Sequence, residues 1–317
     1  MSAQEARIAV RVTARTAVAR DVVTLDLAPV DAAPLPAWTP GAHVDLEVRP
    51  GLERQYSLVA TTADGHWRVA VLREQEGRGG SAAVHDVLVP GETVAVRGPR
   101  NHFAFDPARP AVFVAGGIGI TPILPMIALA EADGTPWTLH YAGRDRAGMA
   151  FAGDLAAAHP AQVRLYPGDE GTRLDVPGLL AGPSDAVVYA CGPRRLVDAV
   201  VAAGAHRGPD AVRVERFTAA DDATAPGEPF EAELALSGIT VTVPPDRSLL
   251  DVVEDAGVLV LSSCREGTCG TCETPVLEGE VEHRDTVLSA EEHAEGLTMM
   301  ICVSRARGGC PRLVLDL

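Results

Sequence analysis

The stretch CREGTCGTC, residues 264 to 272, holds three of the chain's six cysteines. Cys264, Cys269 and Cys272 are spaced C-x4-C-x2-C, and Cys302 follows in MMICVS. Thiols grouped this way serve a disulfide knot or a metal centre. Structural zinc is usually held by two short C-x2–4-C knuckles. Three ligands from one loop and a fourth from far along the chain is the plant-type 2Fe–2S spacing. The loop's other residues suit a cluster. Gly267 and Gly270 let the backbone wrap closely and aim N–H groups at sulfur. Ser262, Ser263, Thr268 and Thr271 add donors, which raise a cluster's reduction potential. Zinc remains the alternative occupant. Cys310, in RGGCPR, falls outside the spacing and reads as an incidental thiol.

Two glycine-rich turns are suited to phosphate. In GRGGS, residues 77 to 81, the N–H groups of Gly79, Gly80 and Ser81 would open the helix SAAVHDVL and form an anion nest. A hairpin turn is the other reading of GRGG. In GGIGITP, residues 116 to 122, Gly116, Gly117 and Gly119 follow the apolar strand VFVA and would let the backbone approach a pyrophosphate at a helix N-terminus. This is not the G-x-G-x-x-G of ordinary dehydrogenases. In YAGRDR, Asp145 would accept from a ribose hydroxyl and repel a 2′-phosphate, which favours NADH. Arg144 and Arg146 beside it would instead accommodate that phosphate.

The elements that must position these residues change character along the chain. Up to residue 105 the segments are short, β-branched and separated by Gly, Pro and Asp turns, the pattern of a barrel or sandwich. From Asp106 onward, strands PAVFVAGG, WTLHYAGR and AVVYACGP alternate with helices PILPMIALAEADG and RRLVDAVVAAGA, the pattern of a doubly wound sheet. TAADDATAPGEP, residues 218 to 229, reads as a linker. FEAELALSGITVTVPPD then reads as a hairpin and SLLDVVEDAGV as a helix capped by Ser248.

Composition narrows the partners. The net charge is −16, and all 27 basic residues are arginine. Residues 230 to 317 alone hold 16 acidic and 6 basic side chains. Such acidity argues against nucleic acid and anionic membranes; for this last segment, solubility and protein docking both fit. No apolar run reaches the length of a membrane span, and the N-terminus lacks the basic-then-apolar pattern of a secretion signal. A cytoplasmic location, with reduced thiols, is therefore expected.

Residues 230 to 317 resemble a plant-type ferredoxin, and the regions ahead of them resemble the ferredoxin–NADP reductase superfamily. That order resembles the phthalate dioxygenase reductase and vanillate demethylase reductase family over essentially the whole chain. The resemblance implies a multidomain chain. An antiparallel β-barrel for FMN would span 1–105, an α/β doubly wound NAD domain 106–222, a linker 223–229, and an α+β plant-type ferredoxin (β-grasp) domain 230–317. RQYSLV matches the family's R-x-Y-S flavin motif. Arg54 would pair with the phosphate, Tyr56 lie against the flavin or ribityl chain, and Ser57 donate to the N5 edge, with Gln55 in the same strand. Val71 and Leu72 would border the ring through backbone groups, and Thr121 would lie near it. Cys191, followed by Gly192 and Pro193, would sit where nicotinamide meets flavin, although a buried Cys is also an ordinary small hydrophobe. Phe217 would cover the flavin, or pack in the core. Cys264, Cys269, Cys272 and Cys302 would ligate the cluster. FMN is preferred to FAD on the glycine pair before Ser81; the residues alone do not exclude FAD. The expected function is an NADH-dependent reductase that passes electrons through FMN and 2Fe–2S to a Rieske-type aromatic dioxygenase or O-demethylase, acting as a monomer. A haem-thiolate monooxygenase as acceptor, or a non-enzymatic iron–sulfur or zinc binding protein, are the alternatives.

Overall fold

The computed structural model describes residues 7–31, 33–75, 79–182, 184–208 and 210–317. Two compact units divide the chain between Phe217 and Thr218.

The first unit opens with strands β1 (Ile8–Ala19), β2 (Val22–Pro29), β3 (His43–Arg49), β4 (Leu52–Thr61), β5 (Trp67–Leu72) and β6 (Thr93–Arg100). They close into a barrel in the order β1-β2-β5-β4-β3-β6. Alternate residues point inward, so Val10, Val12, Leu25, Leu27, Val44, Leu46, Trp67 and Val69 fill the interior. Helix α1 (Gly80–Val87) follows, and its Val84 joins that core together with Leu88.

An α/β layer follows within the same unit. Its strands are β7 (Ala111–Gly116), β8 (Trp137–Gly143), β9 (Val163–Pro167), β10 (Val187–Cys191) and β11 (Val212–Glu215). Between them lie α2 (Ile123–Asp133), α3 (Ala152–Ala158), α4 (Val176–Leu180) and α5 (Arg194–Gly204). All neighbours pair in parallel, in the order β11-β10-β7-β8-β9. The strands are buried on both faces: Phe113, Leu139, Tyr141 and Tyr189 on one, Val114, Val188 and Ala190 on the other. Strand order reverses between β7 and β10, and such a switch point opens a ligand crevice at the strands' C-terminal ends.

The second unit contains β12 (Phe230–Leu234), β13 (Ile239–Val243), α6 (Leu249–Asp255), β14 (Glu273–Glu278), β15 (Val281–Glu282), α7 (Ala290–Glu295), β16 (Thr298–Met300), β17 (Arg305–Ala306) and β18 (Arg312–Leu315). Five strands form a mixed sheet, β13-β12-β18-β14-β16, in which β12 and β18 are parallel. Ser248 caps α6, its hydroxyl accepting from Asp251 N at 3.1 Å. Leu249, Leu250 and Val253 of α6 bury with Phe230, Leu234, Met299 and Leu313.

Residues 218–229 do not hang free of this second unit. Ala223 is 3% exposed and belongs to its core, with Ala219 and Ala220 against it. Gly227 N donates to Pro245 O at 3.0 Å. Arg284 donates to the carbonyl of Ala225, and Arg305 to those of Glu228, Pro244 and Arg247. Composition alone suggests a linker, but alanines fit an apolar surface and two arginines satisfy the peptide carbonyls. A Cβ on Gly227 would stand 2.5 Å from Arg305 Nε. Arg305 is 4% exposed and held by three carbonyls, so it has little room to yield. Gly227→Ala is therefore expected to destabilise this unit by about 1–3 kcal/mol, read from urea unfolding. Gly308→Ala, where a Cβ meets nothing nearer than 3.6 Å, serves as the control.

Candidate electron-transfer sites

The cysteine loop, 264–272, bends through Arg265, Gly267 and Gly270, all at left-handed φ (57°, 71° and 73°). A Cβ on Gly267 would lie 2.6 Å from Val303 Cγ2, so glycine is required there for space as well. Arg265 anchors the loop to α6 through ion pairs to Asp251, at 2.7 Å, and to Glu254. The adjoining segment supports the loop from behind, with Thr286 N donating to Gly267 O at 2.9 Å. Cys302 arrives just after β16, between the buried Ile301 and Val303.

This folding brings four sulfurs together. Cys264, Cys269, Cys272 and Cys302 are 9%, 2%, 4% and 5% exposed, and none forms a disulfide. Cys264 lies within electrostatic reach of Cys269 and Cys302, and Cys302 of Cys272. Cys264 also accepts from the N–H groups of Glu266 and Thr268, at 3.3 and 3.5 Å. Cys269 and Cys302, and then Thr268, hold Cys264 well below the usual thiol range, while the neighbouring sulfurs and burial push Cys269 and Cys302 up. The donor set suits a thiolate-ligated cluster: four convergent sulfurs, with N–H groups aimed at one of them. Thr271 Oγ1 lies 3.1 Å from Cys269 Sγ, as the sequence suggests. Ser262 differs in donating to Glu254. Cys310 is elsewhere, accepting from Glu280 N and donating to Arg312 O.

On the barrel, alternation along β4 puts Arg54 and Tyr56 on one face and Gln55 and Ser57 on the other. Tyr56 packs against the barrel core, and burial raises its phenol. Arg54 lies over Gly80, whose Cβ would stand 2.6 Å from the arginine's Nε. The arginine and the start of α1 thus come together, with Gly79 at φ 80° as the cap residue. Ser81 Oγ accepts from Glu74 N, and Gln55 donates to Asp45. Gly77 and Arg78 of the GRGGS motif lie outside the described residues. Ser57 Oγ is buried and has no hydrogen-bond partner among the described residues. An unpaired buried hydroxyl costs about 1–3 kcal/mol, so a polar ligand atom fits there. Val59, on the Ser57 side of β4, packs with Ala150, Ile118 and Leu124 of the α/β layer. Val71 lies in the barrel core and its carbonyl is already met by His85 at 3.0 Å, while Leu72 packs at the layer boundary.

At the crevice, Gly117–Ile120 form a 3-10 turn directly after β7. The glycine turn thus follows β7 and precedes α2, as its sequence suggests. Thr121, 2% exposed, bonds back to Ile118 O. Three glycines let the two loops touch. A Cβ on Gly116 would meet Pro193, one on Gly119 the Cys191–Gly192 peptide, and one on Gly192 the Gly116 backbone. Cys191 is fully buried, with its sulfur 3.9 Å from Glu215 Oε2. Burial and Glu215 push the thiol well up, and burial pushes Glu215 to about 8. Phe217 is 42% exposed, so core packing does not account for it.

Asp145 at the end of β8 is engaged already. It accepts from Gly148 N at 3.0 Å and pairs with Arg20 of the barrel, which holds its carboxyl below the usual range. Arg146 is tied to Glu170 at 2.7 and 2.9 Å, and the carbonyl of Arg144 accepts from Asp169 N. Sequence reading missed Glu215 and Arg20. A carboxylate closing an apolar strand is the only signal for the first. Nothing local marks the second.

Cys302→Ser should abolish the visible spectrum and iron content of a 2Fe–2S centre, whereas Cys310→Ser should keep both. A second expectation concerns pH. Glu215 favours the protonated form when folded, so its contribution to stability is fully present below about 4.5 and is lost as pH rises toward 8. A tenfold change in a protonation equilibrium is worth about 1.4 kcal/mol. Glu215→Gln should flatten the decline of urea stability over that pH window.

Comparison with known proteins agrees with this geometry. The 2Fe-2S iron-sulfur cluster binding domain family matches residues 233–307. A toluene-4-sulfonate monooxygenase system reductase subunit of Comamonas testosteroni is 42% identical over 98% of this chain and 99% of its own. The solved phthalate dioxygenase reductase is 36% identical over 98% of both chains, with a TM-score of 0.70. An intact type IV self-sufficient cytochrome P450 monooxygenase is 44% identical with a TM-score of 0.89, this chain spanning 41% of that one. With four buried sulfurs in one unit, a closed barrel and a five-stranded parallel sheet in the other, and full-length relatives of this kind, the chain belongs to the phthalate dioxygenase reductase family of iron–sulfur oxygenase reductases.

Proposed function

We propose that this chain takes electrons from NADH through FMN and 2Fe–2S and delivers them to a terminal oxygenase, of the Rieske aromatic dioxygenase or O-demethylase kind. The observation that carries this reading is the convergence of four buried cysteine sulfurs downstream of a barrel and a dinucleotide-type crevice in one chain. Bound flavin would supply the exchange between a two-electron hydride and single electrons, and the bound cluster would carry them one at a time.

The chain's own residues would do the rest. Arg54, with the N–H groups of Gly79, Gly80 and Ser81, would hold the FMN phosphate by charge and by the opening of α1. Ser57 would place its unsatisfied hydroxyl against the polar edge of the ring, Tyr56 and Phe217 would offer aromatic surface, and Val71, Leu72 and Thr121 would border it. Gly116, Gly117 and Gly119 would admit the nucleotide pyrophosphate. Cys191, Gly192 and Pro193 would shape the place where nicotinamide is received. Cys264, Cys269, Cys272 and Cys302 would hold the cluster, with backbone N–H groups tuning it. Asp145 keeps lone pairs for a ribose hydroxyl beyond its two present donors. With Arg146 committed to Glu170, Arg144 is left as the nearer cation to a 2′-phosphate, and the balance favours NADH.

A haem-thiolate acceptor is the second reading, supported by the match along 98% of this chain to the P450 monooxygenase. Both readings send electrons out through the cysteine unit. A chain ending at Phe217 should retain FMN and reduce ferricyanide with NADH, with kcat/KM higher for NADH than for NADPH. It should lose reduction of cytochrome c and of the oxygenase. If the shortened chain reduces the oxygenase as fast as the intact one, the cluster is not the exit and the proposal falls.

A further inference from the structure

Beside the cysteine loop stands a second group of ligating side chains that the electron path does not use. His283 follows β15, Asp285 comes two residues later, and His293 sits on α7. One nitrogen or oxygen from each lies within 4.8 Å of the others. His293 Nε2 is 3.3 Å from Asp285 Oδ1, and His283 Nδ1 is 3.6 Å from the same oxygen. Ligands about 2.0–2.1 Å from a tetrahedral ion stand roughly 3.4 Å apart. The observed separations are close to that spacing.

His283 supplies an independent observation. Its side chain is 5% exposed, and neither ring nitrogen has a hydrogen-bond partner among the described residues. A buried imidazole left unbonded on both sides gives up the hydrogen bonds it made in water. Its ring stacks on that of His293, with centroids 4.3 Å apart and planes inclined by 18°. The Asp285 side chain is wholly buried and fixed in orientation: its Oδ2 accepts from Val287 N and Leu288 N at 3.1 and 2.9 Å. Oriented carboxylates of this kind are what metal sites use.

We propose that His283, Asp285 and His293 form a divalent metal site, of zinc type with two nitrogens, one carboxylate and water, separate from the four-cysteine centre. Two imidazole nitrogens, one carboxylate oxygen and a position open to water are a common zinc donor set. The site would also brace the loop, because Thr286, between its ligands, donates N and Oγ1 to Gly267 O at 2.9 and 3.3 Å.

The test uses the full chain with its iron and flavin loaded, freed of loose metal and dialysed against low concentrations of zinc sulfate, with zinc and iron measured together. The expected result is one zinc per chain with the iron content unchanged. His293→Gln, on the partly exposed α7, should weaken zinc binding at least tenfold while keeping the visible spectrum. His283→Gln should do the same. Zinc should also slow bleaching of the cluster in urea for the parent chain and not for His293→Gln. Failure to retain zinc, equal retention by both variants, or zinc gained only as iron is lost, which would place it on the cysteines, each overturns the site. Equal protection of the cluster in parent and variant overturns the bracing.

Discussion

Four sulfurs must meet inside a unit of about a hundred residues, and that convergence governs how the second unit is built. Buried thiols carry little packing value to hold themselves in place, so the loop is fixed from outside. Arg265 ties it to α6, Gly267 lets Val303 and Asp285 pack against it, and β16 delivers Cys302 from the core. N–H groups facing Cys264 show which charge the loop is built to accept. Glycine takes the left-handed turns at 267 and 270 without strain, and Arg265, the non-glycine at φ 57°, is held there because its neighbours determine its path.

The first unit solves a different problem: the loops after β7 and β10 must pass each other at backbone distance. Gly116, Gly119 and Gly192 interlock the loops after β7 and β10 so closely that no side chain fits between them. The barrel is fastened to the edge of the same layer. Arg20 N donates to Ala147 O at 2.8 Å, and the Arg20 guanidinium pairs with Asp145. The barrel and the parallel sheet therefore belong to one body, and a change in the β1–β2 turn would be felt at Asp145 after β8.

Much of this was legible in the sequence, and the reasons are physical. The cysteine spacing is a covalent fact that few folds can use in another way. The parallel strands announce themselves because burial on both faces removes alternation, and α1, α2, α5 and α6 follow the apolar periodicity of their segments. What stayed hidden depends on contacts remote in sequence. Nothing near Arg20 points to Asp145, and Glu215 looks like any strand residue until Cys191 is set beside it. Residues 218–229 have the composition of a tether. They become structure only because Arg284 and Arg305, far downstream, reach their carbonyls. The glycine turn after β7 was legible, but its 3-10 form was not, since it depends on how tightly the second loop closes over it.

That arginine clamp bears on how such modules can be recombined. The cysteine unit is a natural cassette for grafting onto other flavin carriers, and the obvious cut would fall at Phe230, where β12 begins. A cassette cut there would leave Arg284 and Arg305 facing solvent-filled space where the carbonyls of Ala225 and Glu228 belong, and would open the core where Ala223 sits. The inheritable unit begins at Thr218, so the segment that looks like the seam between parts belongs to one of them.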